Sequence, residues 1–534
     1  MRINKQQHRT YKVEIFAALY LTHCLAYAGD IKLKSSVKST VYVYQTETEN
    51  SPADDNAAIV VEPSVTGIYS SKKVGLALNA KQTLVEQKDE QQGANKNYTD
   101  IKLNSSFELL DDALRLSVNG SQDYQVTGIS NSFFSDRVLS PGDLSKIQRY
   151  AAVLDFTIPN PKYIGLDVST SYSDTSADQT INQNSSLNSN NTGVLTRIYN
   201  GNYVTGLFFD ISAQYNNTER SNFNDFQSTT LNGTIRFDLY NNIKFVVRGS
   251  DENYDLDLDG GNGGLTNIDS SSYGAGFGWF NSDNRGIELT YNYLEEANNV
   301  SKYVGVDINW AFSARTSFDF NYGKRAYGDA YQLNFQYRLK SFRSTFSYNE
   351  DITTYARYGL VAESLGIFVC PIGSTELSEC IQPESLEYVL QPGEEFRSFN
   401  GFSTDITNEV ILTKAARYVI GYDKRKLKVS LNLGYRETEY LETNRLQKYQ
   451  TAGLDFNYRL SRLTDFGLGI NLMHREIEAT DNNEDTMNVN FIINRKLSRH
   501  ATVNSSLRYV TRTNDNGLDD VTDKRLTVGF NYQF

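Results

Sequence analysis

The stretch RLTVGFNYQF, residues Arg525 to Phe534, alternates strictly between two kinds of side chain. Every second residue is apolar or aromatic, and the residues between them are polar or small. A period of two is typical of a β-strand with one apolar and one hydrated face. The fold of the chain therefore depends on what such an apolar face contacts. The apolar face is Leu526, Val528, Phe530, Tyr532 and Phe534.

The same alternation recurs through the chain, for example in TTLNGTIRFDLY (229–240), KVSLNLGYRE (428–437) and MNVNFIINRK (487–496). Short basic or Asn-rich connectors, such as DKRK (423–426), take turns with long acidic or Ser/Asn-rich ones, such as 358–398. A soluble sandwich also alternates, but this order of connectors is typical of a barrel whose two ends face different compartments. We predict an all-β fold, a single antiparallel up-and-down transmembrane β-barrel over 29–534 with about 24 strands (22–26).

The first residues have the pattern of a secretory signal. A basic head, a short apolar stretch and Ala26-Tyr27-Ala28 predict a signal peptide over 1–28, cleaved after Ala28. A lipoprotein anchored through Cys24 is the alternative. Export together with a barrel predicts the outer membrane of a Gram-negative bacterium, with both ends of the barrel domain on the side of the short turns.

The composition agrees with a membrane barrel. The chain has 36 Tyr and 28 Phe, and they cluster near predicted strand ends, as in YGAGFGWF (273–280), where interfacial girdles lie. The long loops are acidic and the short turns are basic. We therefore expect a basic inner rim, which either contacts anionic lipid headgroups or meets an anionic solute or a periplasmic partner.

The sequence offers no catalytic constellation. Two of the four His precede the cleavage site, and His474 and His500 fall at opposite ends of the predicted barrel. HExxH, a phosphate-binding loop and paired CxxC are missing from the sequence. We therefore predict a protein that is not an enzyme, with no catalytic residues and no cofactor.

One stretch, DLDLDGGNGG, partly matches a calcium-binding loop. Asp255, Asp257 and Asp259 occupy the first liganding positions, but the twelfth position is Thr266 instead of Glu. A weak metal site and an acidic hairpin tip are both compatible with this pattern, and the second fits better.

The polar strand faces are predicted to line a hydrated lumen with charges of both signs. Three glycines on one of these faces predict either a bend of the barrel wall or room for a loop or a passing chain. The candidate lumen-lining residues are Arg236, Arg248, Arg338, Lys428, Arg436, Arg459, Arg508, Asp238, Asp307, Asp319, Asp455, Gly274, Gly276 and Gly278.

The segment 358–398 is the longest connector, with three Pro and the apolar run LGIFVCPIG. Its cysteines, Cys370 and Cys380, predict a disulfide, because the exported chain meets an oxidising compartment. Barrels of this size are typically plugged, and we find no plug domain ahead of the first strand. We therefore expect this segment to fold over or into the mouth of the barrel.

The last strand also carries a targeting pattern. Thr527, Gly529, Tyr532 and Phe534 match polar-x-Gly-x-x-aromatic-x-aromatic, which resembles the signal read by the outer-membrane barrel assembly machinery. This resemblance implies that Phe534 acts as an assembly signal in addition to its place in the aromatic girdle.

Two late stretches, NEVILTKAARYVIGYDKRKLKVSLNLGYRETEY (408–440) and YQTAGLDFNYRLSRLTDFGLGINL (449–472), resemble outer-membrane barrels found with exopolysaccharide and PEP-CTERM gene clusters. The resemblance implies polysaccharide export across the outer membrane with a periplasmic polysaccharide-export protein, and it supplies no site residue. A passive porin for small solutes and a structural scaffold barrel remain open. The other expected partners are outer-membrane lipids and lipopolysaccharide, with no nucleic acid.

Overall fold

The computed structural model describes residues 29–48, 51–88, 96–126, 137–138, 144–178, 188–221, 225–255, 267–282, 284–296, 299–325, 327–354, 368–371, 393–397, 410–441, 443–478, 482–515 and 520–534. The predicted signal peptide lies outside these residues. Within them, no helix has the length and hydropathy needed to cross a membrane.

The described residues form 26 strands, numbered here in chain order. The strands of the first half are β1 Asp30–Thr48, β2 Ser51–Ser70, β3 Val74–Gln87, β4 Lys96–Leu110, β5 Leu114–Val126, β6 Leu144–Thr157, β7 Ile164–Ala177, β8 Ser189–Asn200, β9 Leu207–Arg220, β10 Phe226–Tyr240, β11 Ile243–Asp255, β12 Asn267–Ser282 and β13 Arg285–Glu296. The strands of the second half are β14 Asn299–Ser313, β15 Thr316–Arg325, β16 Gly328–Arg338, β17 Phe342–Thr354, β18 Phe368–Pro371, β19 Glu394–Arg397, β20 Val410–Lys424, β21 Leu427–Tyr440, β22 Arg445–Arg459, β23 Thr464–Ile477, β24 Asn482–Lys496, β25 Ala501–Asn514 and β26 Val521–Gln533.

Twenty-four of these strands form one closed antiparallel barrel, which confirms the predicted fold class and strand count. Each strand pairs with its neighbours in chain order, and β17 pairs directly with β20. The barrel closes where β26 pairs with β1, from Ser36 opposite Gln533 to Thr48 opposite Val521. The closing strand therefore meets β1 from Ser36 onward, whereas the alternation alone predicts pairing from near Ile31, where the first strand begins. The short strands β18 and β19 pair only with each other.

The two ends of the barrel differ, and we call them the turn end and the loop end. The turn end carries tight connections, such as the one after β20, where Arg425 has a positive φ of 52°. The start of β1 and the end of β26 also lie at the turn end, as predicted. The predicted alternation of short and long connectors is not strict, however. At the loop end, only two residues separate β1 from β2, β13 from β14, and β15 from β16, because strand direction fixes only the end at which a connector lies and leaves its length free.

The outer face of the barrel is apolar. Leu231, Phe277 and Leu289 point away from the interior and are 45%, 59% and 53% exposed. Aromatic pairs lie on this face toward the turn end, including Trp279 with Trp310 at 5.7 Å between ring centroids. A continuous band of exposed apolar side chains on a closed barrel is the surface that a lipid bilayer covers.

Strand β12 forms a sharp corner of the barrel wall. A Cβ on Gly276 would lie 1.9 Å from the carbonyl oxygen of Leu289 on β13, and a Cβ on Gly274 would lie 2.5 Å from the carbonyl oxygen of Tyr291. Strands β11 and β13 have Cα atoms within 8 Å of each other, although β12 lies between them. Glycine is required here because the backbone of β13 occupies the space of an inward side chain. The sequence left open whether these glycines bend the barrel wall or make room for a loop or a passing chain. The close approach of β11 and β13 is a bend of the wall.

We expect Gly276→Ala to prevent this corner from closing, with a cost of about 3 kcal/mol from overpacking. The folded fraction in outer-membrane preparations, read from heat-modifiable migration on gels, checks this expectation. The matched control is Gly467→Ala on β23, where the nearest atom to a new Cβ is 3.8 Å away. Equal folded fractions for the two variants would contradict the close approach at β12.

Candidate functional site in the barrel interior

The predicted lumen-lining residues share one side of the sheet. By strand register, all of them lie on the face opposite the exposed apolar side chains. Register also brings the glycine lane of β12 beside the inward face of β11, with Gly274 opposite Arg248 and Gly278 opposite Lys244. The polar faces of the strands are therefore the inner wall of the barrel.

At the corner, two of the predicted arginines converge on a carboxylate that the sequence analysis did not single out. Glu288 on β13 is 2% exposed, and its two oxygens lie 2.6 Å from Arg236 Nη2 and 2.5 Å from Arg248 Nη2. Arg248 also lies 3.3 Å from Asp307 on β14. The arginines reach Glu288 because β12 has no inward side chains between them. We call these four residues the corner cluster.

Aromatic rings hold one of these arginines in place. The Arg236 guanidinium lies 4.6 Å from the ring centroid of Phe208 and 5.6 Å from that of Phe280. Such cation–π contacts add to the ion pairs. The corner cluster balances two positive and two negative side chains, so it gives the wall no net sign.

Other predicted wall residues are also paired locally. Asp238 lies 3.0 Å from Lys244, and Arg459 lies 3.3 Å from Asp465. Asp455 accepts a hydrogen bond from Ser430 at 3.3 Å. The described part of the interior therefore carries charges of both signs, several of them paired. Arg338, Lys428, Arg436 and Arg508 also lie on the inner wall, as strand register places them.

Toward the loop end, the inner wall is covered. Glu484 on β24, Val510 on β25 and Asp523 on β26 face inward and are 2%, 0% and 0% exposed. An empty barrel of 24 strands would be wide enough to leave such side chains in contact with water. Neighbours on the wall supply part of this cover, since Glu484 pairs with Arg475 at 2.7 Å and Asp523 with Arg525 at 3.4 Å.

The connection between β5 and β6 accounts for part of the packing. Arg137 pairs with Asp100 at 2.6 Å and donates to Thr83 Oγ1 at 2.7 Å, both on the inner wall. Val138, 4% exposed, joins an apolar cluster with Tyr44 and Tyr98. Arg137 and Val138, the described residues of this connection, therefore lie inside the barrel against β1 to β4. No local sequence pattern distinguishes this connection from the other long connectors, so its inward contacts could not be predicted.

The segment predicted to enter the mouth is described at β18 and β19. Val369 and Cys370 are 2% and 0% exposed. A Cβ on Gly393 would lie 2.5 Å from Ile68 Cδ1, and Ile68 faces the interior close to the turn end of β2. The described part of this segment thus lies inside the barrel, deeper than the mouth. Cys370 is disulfide-bonded; its predicted partner, Cys380, lies outside the described residues, so their pairing stays a prediction.

A contact that we call the Arg325 latch crosses the interior at the loop end. Arg325 ends β15, and its Nε lies 2.7 Å from Glu252 on β11, four strands away. Its two Nη atoms donate at 3.0 Å to the hydroxyls of Tyr254 and Tyr327. Tyr327 in turn donates to the carbonyl oxygen of Glu350 on β17 at 3.2 Å. The latch therefore draws three parts of the wall together.

An apolar cluster extends the latch. Phe226 and Tyr254, from the inner faces of β10 and β11, are buried with Ile352 at the end of β17 and with Val410 and Leu412 at the start of β20. These strands are far apart in the sheet, so the cluster joins distant parts of the wall at the loop end. The latch and the cluster together narrow the barrel at its loop end.

The remaining predicted features are placed as follows. Asp255 ends β11, whereas Asp257 and Asp259 lie outside the described residues. Over the part of the chain that the structure describes, no three His, Cys, Asp or Glu are placed to hold a metal ion. His474 pairs with Asp485 toward the loop end and His500 bonds the Gln533 carbonyl at the turn end, so the two imidazoles lie far apart.

The four residues of the targeting pattern lie on both faces of the closing strand, with Thr527 and Gly529 inward and Tyr532 and Phe534 outward. A Cβ on Gly529 would lie 2.2 Å from Asn504 Oδ1, whereas Phe534 is 72% exposed and donates its backbone N–H to Ser35 at 2.9 Å. Tyr532 packs edge-on against Phe534 at 5.0 Å, and Thr527 faces inward, 8% exposed. Their role as an assembly signal stays a prediction.

The chain is similar in structure to large outer-membrane barrels. The FrpB iron transporter of Neisseria meningitidis (F5-1 variant) matches with 10% identity and a TM-score of 0.42, over 93% of this chain and 82% of that chain. The siderophore receptor PirA of Pseudomonas aeruginosa matches with 9% identity and a TM-score of 0.38, over 93% and 80%. OmpT of Vibrio cholerae, in its loop L8 deletion form, matches with 9% identity and a TM-score of 0.31, over 95% and 100%. No protein-family model matches the sequence, and no curated protein matches it.

We expect Arg325→Ala to widen the passage at the loop end, because Glu252 is only 5% exposed and loses its ion-pair partner. In planar bilayers, this variant should conduct more often and with larger steps than the wild-type protein. The matched control is Lys324→Ala, which removes the outward pair with Asp329 at 3.8 Å and should leave conductance unchanged. The charge swap Arg325→Glu with Glu252→Arg should restore the low conductance. Wild-type conductance in Arg325→Ala would show that the latch does not limit the passage.

Proposed function

We propose that this chain is an outer-membrane conduit that exports a polysaccharide chain without catalysing a reaction. The observation that carries the proposal is a barrel of 24 strands whose inward contacts narrow the interior at the loop end. A barrel this wide exceeds what small solutes need. A closed resting state suits a polymer, which must be admitted without leaving a permanent hole in the membrane.

Two further features support a polymer of sugars. The corner cluster and the paired wall charges leave no strong field of either sign, so the wall has little to hold a simple ion. The late stretches 408–440 and 449–472 resemble barrels that accompany exopolysaccharide genes. The resemblance names the cargo class, and the closed wide lumen is compatible with it.

A passive porin for small solutes is the second candidate. It would share the barrel, but a passive porin keeps a hydrated channel open. The near-complete burial of inward side chains such as Glu484 and Asp523 favours a gated conduit over a porin. A scaffold barrel would not require the charge-paired inner wall.

We propose partners for the lipid-facing surface of the barrel and for its turn end. The lipid-facing band would contact outer-membrane lipids and lipopolysaccharide, and the closing strand would be read by the barrel assembly machinery. At the turn end, basic side chains would dock a periplasmic polysaccharide-export protein through its acidic surface. Lys73 is one of these basic side chains, and its Nζ lies 3.0 Å from Asp111 Oδ1. Its hydrogen bond and positive charge lower the pKa of the Asp111 carboxyl.

Deletion of the gene tests the function directly. We expect polysaccharide to accumulate in the periplasm and to decrease at the cell surface, and we expect complementation to restore export. The measurement is sugar content in periplasmic and secreted fractions, with uptake of small sugars into proteoliposomes as a parallel assay. Normal secretion after deletion would refute the exporter, and rapid uptake of small sugars by the wild-type protein would favour the porin.

A further inference from the structure

One region of the inner wall differs from the charge-paired remainder. Side chains of β14, β15 and β16 form cross-strand rows, with Asn309 opposite Asp319 and Asp319 opposite Asn334. Five of the six residues that define this region carry side-chain amides. We call it the amide wall: Asn309, Asp319, Asn321, Gln332, Asn334 and Gln336.

The amide wall is accessible from the interior. Asn309 and Gln332 are exposed and the other four are partly exposed, whereas Glu288 on the adjoining β13 is 2% exposed. The six side chains of the amide wall are therefore accessible to solvent in the barrel interior. The packing found at the loop end does not extend over this part of the wall.

The side chains of the wall fall into two groups. Asn309 donates to Asp319 at 2.8 Å, and Asn321 donates to Asp307 at 2.9 Å, so these amides are held in fixed orientations. Within the described residues, the amides of Gln332, Asn334 and Gln336 make no side-chain hydrogen bond. They therefore have donors and acceptors available to a ligand.

The chemistry of the wall selects against charge in the ligand. Each amide presents a donor and an acceptor side by side, which matches hydroxyl groups that both donate and accept. No Lys or Arg belongs to these rows, and Asp319 would repel an anion. Arg338, the next inward residue of β16 after Gln336, lies at the turn-end edge of the wall, and Arg248 is paired with Asp307 and Glu288.

The spacing suits a chain of rings. Neighbouring strands lie about 4.8 Å apart, and successive inward residues on one strand lie about 6.8 Å apart. Rows of amides at these intervals can contact successive sugar units of a polymer that runs along the wall.

We propose that the amide wall is the contact surface for an uncharged polysaccharide in transit. The inference rests on the proposed export function, because it assigns the cargo class of that conduit. Weak, repeated hydrogen bonds to neutral sugars guide a polymer without trapping it, since each bond is made in exchange for one with water.

Binding of defined oligosaccharides to the purified barrel in detergent tests the proposal. The neutral probes are maltohexaose and cellohexaose, the anionic probe is hexagalacturonate, and saturation-transfer NMR with titration gives the affinity. The test variant is Gln332→Leu/Asn334→Leu/Gln336→Leu, which keeps the side-chain bulk and removes the amides. The matched control is Asn232→Leu, an inward amide on β10 outside the wall. Heat-modifiable gel migration verifies that each variant is folded.

We expect a neutral probe to bind the wild-type protein and Asn232→Leu with equal affinity. The same probe should bind the triple variant at least tenfold more weakly. Hexagalacturonate should not bind any of the three proteins. Absence of saturable binding of both neutral probes to the wild-type protein would overturn the proposal. Preference for hexagalacturonate, or unchanged neutral binding by the triple variant, would also overturn it. Neutral binding that depends on the wall, together with normal secretion after gene deletion, would uphold the wall and refute only the export function.

Discussion

The structure depends on one constraint: in a lipid bilayer, no strand can leave its backbone hydrogen-bonding groups unpaired. Pairing of β26 with β1 from Ser36 to Thr48 removes the last two open edges of the sheet. The corner cluster, the Arg325 latch and the Arg137 contacts all lie inside the closed wall that this pairing creates. The alternation of apolar and polar residues along each strand then follows, because closure gives every strand one lipid face and one interior face.

Closure with 24 strands creates a second problem, which is a wide interior. The chain solves it locally, without a separate domain in the described residues. Gly274 and Gly276 let β12 fold into a corner, which brings β11 and β13 together and allows Arg248 to reach Glu288. The Arg325 latch brings distant parts of the wall together, and the Arg137 contacts cover the wall at β3 and β4. Ion pairs recur in these places because a buried charge is costly unless a partner of opposite sign is present.

Much of this architecture was predictable from sequence, because alternation and connector position are local properties. These two properties predicted the number of strands, the difference between the turn end and the loop end, and the inward position of Arg236 and Asp307. The partners of these residues were not predictable, since Glu288 meets Arg236 across two intervening strands and only three-dimensional curvature brings them together. For the same reason, the inward contacts of Arg137 could not be predicted from sequence. The segment around Cys370 was predicted to enter the barrel because its prolines and its two cysteines set it apart from the other connectors. The amide wall illustrates a third case, in which sequence shows Asn and Gln on strand faces and only the register joins them into rows.

The central claim is that a wide barrel is held closed by its own contacts, with access for a sugar chain only on opening. Single-channel recording of the unmodified protein in planar bilayers, without any partner, tests this claim most directly. The account predicts a membrane that is mostly silent, with brief and rare openings. A stable, large and permanently open conductance, of the size expected for an empty barrel of 24 strands, would contradict it.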